Sequence, residues 1–292
     1  MKIQQIEMFY REKYKILMFI PIIFLVLSLL FLGIKYVNTG SVFEKDVSLK
    51  GGITASVYTD RIVDSIELSE GLGVEIDFRQ LTDLTNGQNL GFIIEVSDLT
   101  ADELKLGLDG ILGIELNSQN YSVEETDPKL GDLFFKQLLI AILIAFVLMA
   151  ISVFLTFRTF IPSLAVVFSA LTDLTITLAI INLLGIKLST AGIVAFLLVI
   201  GYSVDTDILM TSRMLREKTG TYFQRLKTSI KTGLTMIGTT VVALLMGYIF
   251  GTSLVFKQMF LIIIIALIVD VFSTYFTNAG LLMNYCKKKG IE

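Results

Sequence analysis

Six runs of apolar residues, each long enough to cross a bilayer as a helix, dominate this chain of 292 residues. A helix needs about 20 predominantly apolar residues to span the hydrocarbon core of a membrane. Apolar residues make up 54% of the chain and charged residues 17%, which is more apolar and less charged than a soluble domain. The pattern predicts a polytopic α-helical membrane protein with six transmembrane helices, at residues 16–34, 137–157, 160–184, 188–212, 230–250 and 258–285.

The residue types that the chain lacks restrict its chemistry. It contains one cysteine and no histidine. An intramolecular disulfide is therefore impossible, and Ser–His or Cys–His nucleophile pairs, histidine-based zinc proteases and haem–histidine ligation are excluded. We predict no metal, no cofactor and no enzymatic activity. Nucleic acid is not an expected partner, because the chain has no soluble basic face.

The distribution of charge predicts the topology. Thirteen Lys and Arg lie in the N-terminal segment, in the loops after the second and fourth runs and in the C-terminal tail, whereas the alternate loops carry only Lys187 and Lys257. By the positive-inside rule, both termini of this multi-pass protein of the cell membrane are cytoplasmic. The first run is longer than the apolar core of a signal peptide, and no Ala-x-Ala cleavage site follows it. We therefore predict that it is an uncleaved membrane anchor.

The residues between the first two runs form a separate acidic segment. Residues 38–132 hold 19 Asp and Glu against 6 Lys and Arg, as expected for an aqueous domain outside the membrane. Strand and helix patterns alternate in the order βαββαβ, with a helix predicted over 60–70 and a capping box at Thr100–Glu103. This order predicts an α+β ferredoxin-like extracytoplasmic domain. The expected division is residues 1–37, 38–132 and 133–292, with hinges at Asn38–Ser41 and around Pro128 and Gly131.

Four carboxylates fall inside the apolar runs: Asp173, Asp205, Asp207 and Asp270. Each costs about 2.5–3.5 kcal/mol at the centre of a membrane helix, so such residues usually mark an ion pathway inside a bundle. Asp173 and Asp270 serve either that role or hydrogen bonding that holds helices together.

Asp205 and Asp207 are two residues apart and therefore point to nearly opposite faces of one helix. We expect Asp205 to face the bundle interior, on the face where Gly201 allows a neighbouring helix to approach. Asp207 is expected to be a weaker candidate that pairs with Arg213 or reaches the cytoplasmic interface. Lys231 lies at the cytoplasmic end of the fifth run. It is interpreted either as a positive-inside anchor or as part of the ion pathway.

Five short motifs occur in an order that resembles the SecD/SecF protein-export family. They are Lys50-Gly51-Gly52 after the first run, Ser169 to Asp173 in the third, Gly201-Tyr-Ser203-Val-Asp205-Thr-Asp207 with Arg213 in the fourth, Lys231 to Thr235 in the fifth, and Asp270 with Ser273, Thr274 and Asn278 in the sixth. Six runs and one small outer domain are similar to the SecF half, and the fourth-run motif is closer to archaeal SecF than to bacterial SecF. The Lys at position 231 departs from the Arg that is common there.

The resemblance implies a function in export. Members of this family, which belongs to the resistance-nodulation-division superfamily, assist the Sec channel in moving unfolded polypeptides outward and use the proton gradient. It implies a SecD-like subunit, the Sec translocon channel, an unfolded exported polypeptide and membrane lipid as partners. It also makes Asp173, Asp205, Asp207, Asp270 and Lys231 candidate proton-relay residues.

Three other interpretations stay open at this point. A passive structural partner of the channel needs no ion pathway. An efflux-type transporter of the same superfamily usually has twelve spans and larger paired outer domains. An intramembrane aspartyl protease needs two aspartates on separate helices, for which Asp205 and Asp270 are the candidates, but the Gly-x-Gly-Asp and Pro-Ala-Leu elements are absent.

Overall fold

The computed structural model describes residues 2–82, 87–217, 219–251 and 253–290. The chain forms two compact units. The helical unit comprises Met1–Glu44, Leu139–Lys187 and Ala191–Glu292. The sheet unit comprises Lys45–Leu138 together with the short segment Leu188–Thr190.

The long helices confirm the prediction of a polytopic membrane protein. Within the described residues, six helical segments are long and apolar enough to cross a membrane. They are contained in α1 (Lys2–Thr39), α5 (Pro128–Phe157), α6 (Phe160–Leu183), α7 (Thr190–Arg216), α8 (Tyr222–Phe250) and the last segment, which combines α9 (Leu254–Phe272), a π-helix (Ser273–Asn278) and α10 (Ala279–Lys289).

The π-helix interrupts the sixth membrane segment, which the sequence predicts as one continuous α-helix. π-Turns are rare, occur mostly as single turns inside α-helices, and are frequent at functional sites. Here the wider turn begins three residues after Asp270 and contains both Thr274 and Asn278. Asp270, Thr274 and Asn278 are spaced by four and lie on nearly the same side of the helix.

The interior of the helical unit is formed mainly by α6, α7 and the α9–π–α10 segment. Buried residues on α6 and α7 recur every three to four positions, which gives each helix one inward face. Gly280 of α10 lies against Met18 of α1, where an added Cβ atom would be 3.0 Å from the methionine Cβ. Most of α5 and α8 is exposed and apolar, as expected for helices in contact with lipid or with another protein.

The sheet unit contains a four-stranded antiparallel sheet in the order β2–β3–β1–β4, built from β1 (Gly52–Tyr58), β2 (Asp77–Thr82), β3 (Asn89–Val96) and β4 (Tyr121–Thr126). Helices α3 (Ser65–Leu72) and α4 (Ala101–Leu112) cover one face, and α2 (Val47–Lys50) precedes β1. The core residues alternate along β1 and β3, as a half-covered sheet requires.

Local signals in the sheet unit are mostly confirmed. The capping box of Thr100 and Glu103 starts α4, and Gly113 ends it in the left-handed conformation. The helix predicted over 60–70 instead begins at Ser65, because the Asp64 carboxylate accepts a hydrogen bond from the Ile66 amide and so caps the first turn.

The hinge predicted around Pro128 and Gly131 is wrong. Both residues belong to the first turn of α5. An added Cβ atom at Gly131 would lie 3.0 Å from the Leu49 carbonyl carbon, so the helix start is tightly packed against α2. The segment Leu188–Thr190, predicted as the start of the fourth membrane helix, belongs to the sheet unit instead, and α7 begins only at Thr190.

Replacing Gly52 with alanine should destabilise the sheet unit by about 1–3 kcal/mol, which is the usual cost of a strained backbone position. Gly52 has a φ of 130°, and a Cβ atom there would lie 2.5 Å from the Val96 carbonyl oxygen. Gly110→Ala is the matched control, because Gly110 lies in α4 with no neighbouring atom within 4 Å. Limited proteolysis of the purified chain at increasing temperature would measure both, and equal midpoints for Gly52→Ala and wild type would contradict the prediction.

Candidate functional site

Three carboxyl groups from three different membrane helices are fully enclosed inside the helical unit. Asp173 lies on α6, Asp207 on α7 and Asp270 on α9, and each has 0% of its surface exposed. All three are placed on the inward faces of their helices, among buried serine and threonine residues. We call these three residues the buried carboxyl cluster.

Serine hydroxyls join Asp173 to the other two helices. Ser203 of α7 donates a hydrogen bond of 2.6 Å to Asp173 Oδ2. Ser273 of the π-helix donates to Asp173 Oδ1. The Ser169 hydroxyl lies 3.3 Å from that of Ser273 and extends the chain of hydroxyls by one member. Each of these side chains is buried, so the hydrogen bonds are shielded from competing solvent.

Thr274 stands between the two remaining carboxyl groups. Its hydroxyl lies 2.8 Å from Asp207 Oδ1 and 3.0 Å from Asp270 Oδ1, and its single proton can be donated to either one. Asn278 donates from its amide to Asp207 Oδ1 over 2.6 Å. Thr206 donates to Asp270 Oδ2 over 3.0 Å. The cluster is therefore one connected network that spans α6, α7 and the α9–π segment.

Among the described residues, the buried carboxyl cluster has no ion-paired positive charge. In the part of the chain that the structure describes, no Lys or Arg forms an ion pair with any of the three residues. Their partners are uncharged hydroxyl and amide groups. Asp207 Oδ2 and Asn278 Oδ1 are buried and accept no hydrogen bond from a described residue. Three enclosed negative charges without a counter-ion are strongly unfavourable, so the network is suited to hold exchangeable protons.

Asp205 is not part of this cluster, and the expectation that it faces the bundle interior is wrong. Its side chain is exposed, whereas Asp207 is buried on the opposite face of α7. The face with Gly201 is equally open, with no atom within 4 Å of an added Cβ. Helix geometry explains why Asp205 is exposed. Ser203, Thr206 and Asp207 share the buried face of α7, and Asp205, two residues from Asp207, lies on the opposite face.

Two of the other predicted residues also lie elsewhere. Arg213 does not pair with Asp207. It donates from Nη1 to the Thr232 hydroxyl over 2.9 Å and so links α7 to α8. Lys231 is exposed on α8, outside the cluster.

Gly51 and Gly52 adopt backbone conformations that favour glycine. Both have positive φ, at the end of α2 and the start of β1. Ser203, predicted as a motif residue, is in direct contact with Asp173.

Sequence reasoning named Asp207 as a relay candidate but ranked it below Asp205, and it named Asn278 only as a motif residue. One signal was available for Asp207. Ser203 and Thr211 lie four residues before and after Asp207, and Thr206 lies three after Ser203, a spacing that places polar residues on one helix face. No local sequence pattern predicted the π-turn that contains Asn278.

The fold and the cluster define a polytopic membrane protein with a separate α+β domain and titratable groups inside its helices. The family model described as "Protein export membrane protein SecD/SecF, C-terminal" matches residues 112–288. The chain belongs to the SecD/SecF protein-export family, and within it the chain is a SecF-like subunit of protein export and translocation.

Archaeal relatives and a solved structure agree with this assignment. Protein-export membrane protein SecF of Methanocaldococcus jannaschii is 34% identical over 94% of this chain and 96% of its own length. The SecF of Pyrococcus furiosus is 35% identical over 92% of this chain and 90% of its own length. The crystal structure of SecDF, a translocon-associated membrane protein from Thermus thermophilus, has the same fold, with a TM-score of 0.73 at 20% identity. It covers 96% of this chain, which spans only 38% of that longer one.

In the full-length protein, replacing Ser203 with alanine should destabilise the helical unit by about 1–3 kcal/mol, because it leaves Asp173 Oδ2 without its donor in a buried site. Asp205→Asn is the matched control on the same helix and should change stability by no more than about 0.5 kcal/mol, since its side chain is exposed. Thermal unfolding in detergent, followed by the reactivity of the buried Cys286, would compare the two. Similar effects of the two substitutions would show that the network does not support the helical unit.

Proposed function

We propose that this subunit drives export with the proton gradient, and that the buried carboxyl cluster carries the protons. It acts with a SecD-like subunit beside the translocon channel on an unfolded polypeptide. Both termini lie in the cytoplasm and residues 38–132 form a ferredoxin-like domain outside the cell membrane. The thirteen basic residues at the proposed cytoplasmic side, against two on the other, support this orientation.

The observation that carries the proposal is the enclosure of three carboxyl groups with hydroxyl and amide partners and no ion-paired Lys or Arg among the described residues. Burial in an apolar bundle favours the neutral form of a carboxyl group. Removing a proton leaves a charge that only the neighbouring hydroxyls can stabilise, so each protonation state favours its own arrangement of the network. The joined helices provide the means for that change to move α6, α7 and the π-helix relative to one another.

The energy available is sufficient for such a cycle. One elementary charge that crosses a potential of 100 mV gains about 2.3 kcal/mol. Two arrangements of a protein that differ by a few kcal/mol are shifted in population by a bias of this size. The single proton of the Thr274 hydroxyl, positioned between Asp207 and Asp270, is a natural switching point, because it can be donated to only one of them at a time.

The exposed face of α7 supports a membrane-embedded partner. Asp205 is exposed within a membrane segment, where contact with lipid would cost about 2.5–3.5 kcal/mol. The open space at Gly201 lies one turn away on the same face. A partner that brings a polar or basic group to this face removes the cost. Lys231, exposed on α8, supplies a second charge with the same requirement.

Two of the other interpretations make different demands on the same residues. A passive partner needs no titratable cluster, so it leaves the three buried carboxyl groups unexplained. An aspartyl protease built on Asp205 and Asp270 needs the two side chains in one site. The Asp270 carboxyl is enclosed with Thr206 and Thr274, whereas Asp205 is exposed on the opposite side of α7 from Asp207.

In vesicles that contain the channel and a SecD-like subunit, Asp207→Asn and Asp270→Asn should each reduce export of an unfolded reporter to the level seen without a gradient. Asparagine fills the same space but cannot release a proton. Asp98→Asn, which changes an exposed carboxyl of the sheet unit, is the control and should leave the gradient-dependent part of export intact. An ionophore that exchanges protons should abolish the stimulation in wild type, whereas one selective for sodium should not.

Full gradient-dependent export by Asp207→Asn and Asp270→Asn would refute the role of the cluster. Loss of stimulation in Asp205→Asn alone would move the relay to the exposed face of α7. Export that never responds to a gradient, in wild type or variants, would favour the passive-partner interpretation.

A further inference from the structure

Helices α6 and α7 carry the same arrangement of polar residues around a buried carboxyl group. Both contain the pattern Ser-x-x-Thr-Asp-x-x-x-Thr, at residues 169–177 in α6 and at residues 203–211 in α7. In each copy the serine precedes the aspartate by four residues and the final threonine follows it by four, so all three lie on one helix face. The polar face of each helix therefore extends beyond the buried carboxyl cluster, to Thr177 in α6 and to Thr211 in α7.

The two copies of the pattern run in opposite directions. Consecutive membrane segments α6 and α7 are joined by a short connection, and Ser203 of α7 donates a hydrogen bond to Asp173 of α6, which places the two at the same depth. At a rise of 1.5 Å per residue, four side chains then follow one another in depth at steps of about 6 Å: Thr177, Asp173, Asp207 and Thr211. This line covers roughly 18 Å of a hydrocarbon core that is about 30 Å thick.

The threonines at the two ends of this line are enclosed, yet their hydroxyl groups have no described partner. Thr177 and Thr211 each have 0% of their surface exposed. Neither hydroxyl forms a hydrogen bond with any residue that the structure describes. A helical threonine can donate to the carbonyl four residues back, as Thr172 does to Phe168 over 2.8 Å. A buried hydroxyl without a partner is unfavourable, so stability does not account for these two side chains.

A third hydroxyl of the same kind continues the line toward the start of α6. Ser163 is 4% exposed, and its hydroxyl has no hydrogen-bond partner within the described part of the chain. It precedes Asp173 by ten residues, which is about 15 Å in depth, whereas Thr211 lies about 12 Å from Asp173 in the same direction. In the proposed orientation of the chain, this is the cytoplasmic direction.

We propose that Thr177 and Thr211 are the terminal relay residues of a proton path, which exchange protons between the buried carboxyl cluster and water at either end of the helical unit. The inference rests on the proposed function, in which the cluster carries the protons. In the proposed orientation, Thr177 serves the outer side through Asp173, and Thr211 serves the cytoplasmic side through Asp207.

A hydroxyl group suits this step because it can accept one proton while it donates another. Side chains four residues apart on a helix have Cβ atoms about 5–6 Å apart, a gap that one water molecule can bridge. On the outer side, the Thr177 oxygen receives a proton from water as its own proton passes, through the bridging water, to the Asp173 carboxylate. On the inner side, Asp207 gives up its proton toward Thr211, which releases its own proton to water. Each hydroxyl is neutral before and after the transfer.

Replacement by valine or by serine separates a relay role from a packing role. Thr177→Val and Thr211→Val remove the hydroxyl at nearly the same side-chain volume, whereas the two serine variants keep it. In vesicles that contain the channel and a SecD-like subunit, a pH-sensitive dye measures the proton flux after acidification on the side of residues 38–132. Each valine variant should lower this flux at least about tenfold, and each serine variant should stay within about twofold of wild type.

The thermal midpoint of unfolding of the full-length protein in detergent is the second measurement. Because the two hydroxyls have no partner among the described residues, the valine variants should unfold at the temperature of wild type or above it. Thr172→Val is the matched control on α6, since Thr172 is 1% exposed and its hydroxyl is bonded to its own helix. This control should keep the wild-type proton flux.

Asp207→Asn distinguishes a failure of the terminal relay from a failure of the proposed function. If Asp207→Asn abolishes the flux while both valine variants keep it, the relay is overturned and the proposed function stands. If wild type shows no flux, or if Asp207→Asn keeps it, the proposed function fails and the relay fails with it. Equal losses in the serine and valine variants, a loss in Thr172→Val, or a lowered midpoint of unfolding in the valine variants would indicate a packing role and would also overturn the relay.

Discussion

The enclosure of three carboxyl groups inside a membrane bundle is the constraint on which the helical unit depends. Their hydrogen bonds come from hydroxyl and amide groups on three separate helices, so the carboxyls and the helix packing support each other. Replacing such a network by apolar side chains would be simpler and often more stable. Its presence in this chain supports the proposal that the cluster changes its protonation state.

The two faces of α7 differ in burial. The inward face carries Ser203, Thr206 and Asp207, all enclosed within the chain. The outward face carries Gly201 and Asp205, which have no covering residue among those described. Because both faces belong to one rigid helix, a change in protonation on the inner side and a partner on the outer side act on the same element. This arrangement fits a subunit that works as half of a larger assembly.

Buried carboxyl groups occur in both units, with different surroundings. In the helical unit the groups are fully enclosed, and their neighbours are neutral donors. In the sheet unit burial, followed by the charge of Asp46, raises the pKa of Glu95 to about 7, against the opposing effects of Arg79 and Lys50. The first arrangement supports the proposed carriage of protons by the cluster.

The sequence by itself determined the six membrane segments, the order of strands and helices in the sheet unit, and the position of every intramembrane carboxyl along the chain. These are local properties, set by apolar length, side-chain periodicity and capping residues such as Thr100. Only the tertiary structure decided which carboxyl on α7 is enclosed. Because Asp205 and Asp207 are two residues apart, they lie on opposite faces of the helix, but this spacing does not determine which face is buried. It also decided the π-turn at Ser273–Asn278 and the burial of Glu95 on the face of the sheet opposite α3 and α4. Both depend on contacts between residues distant in the chain, which no local pattern encodes.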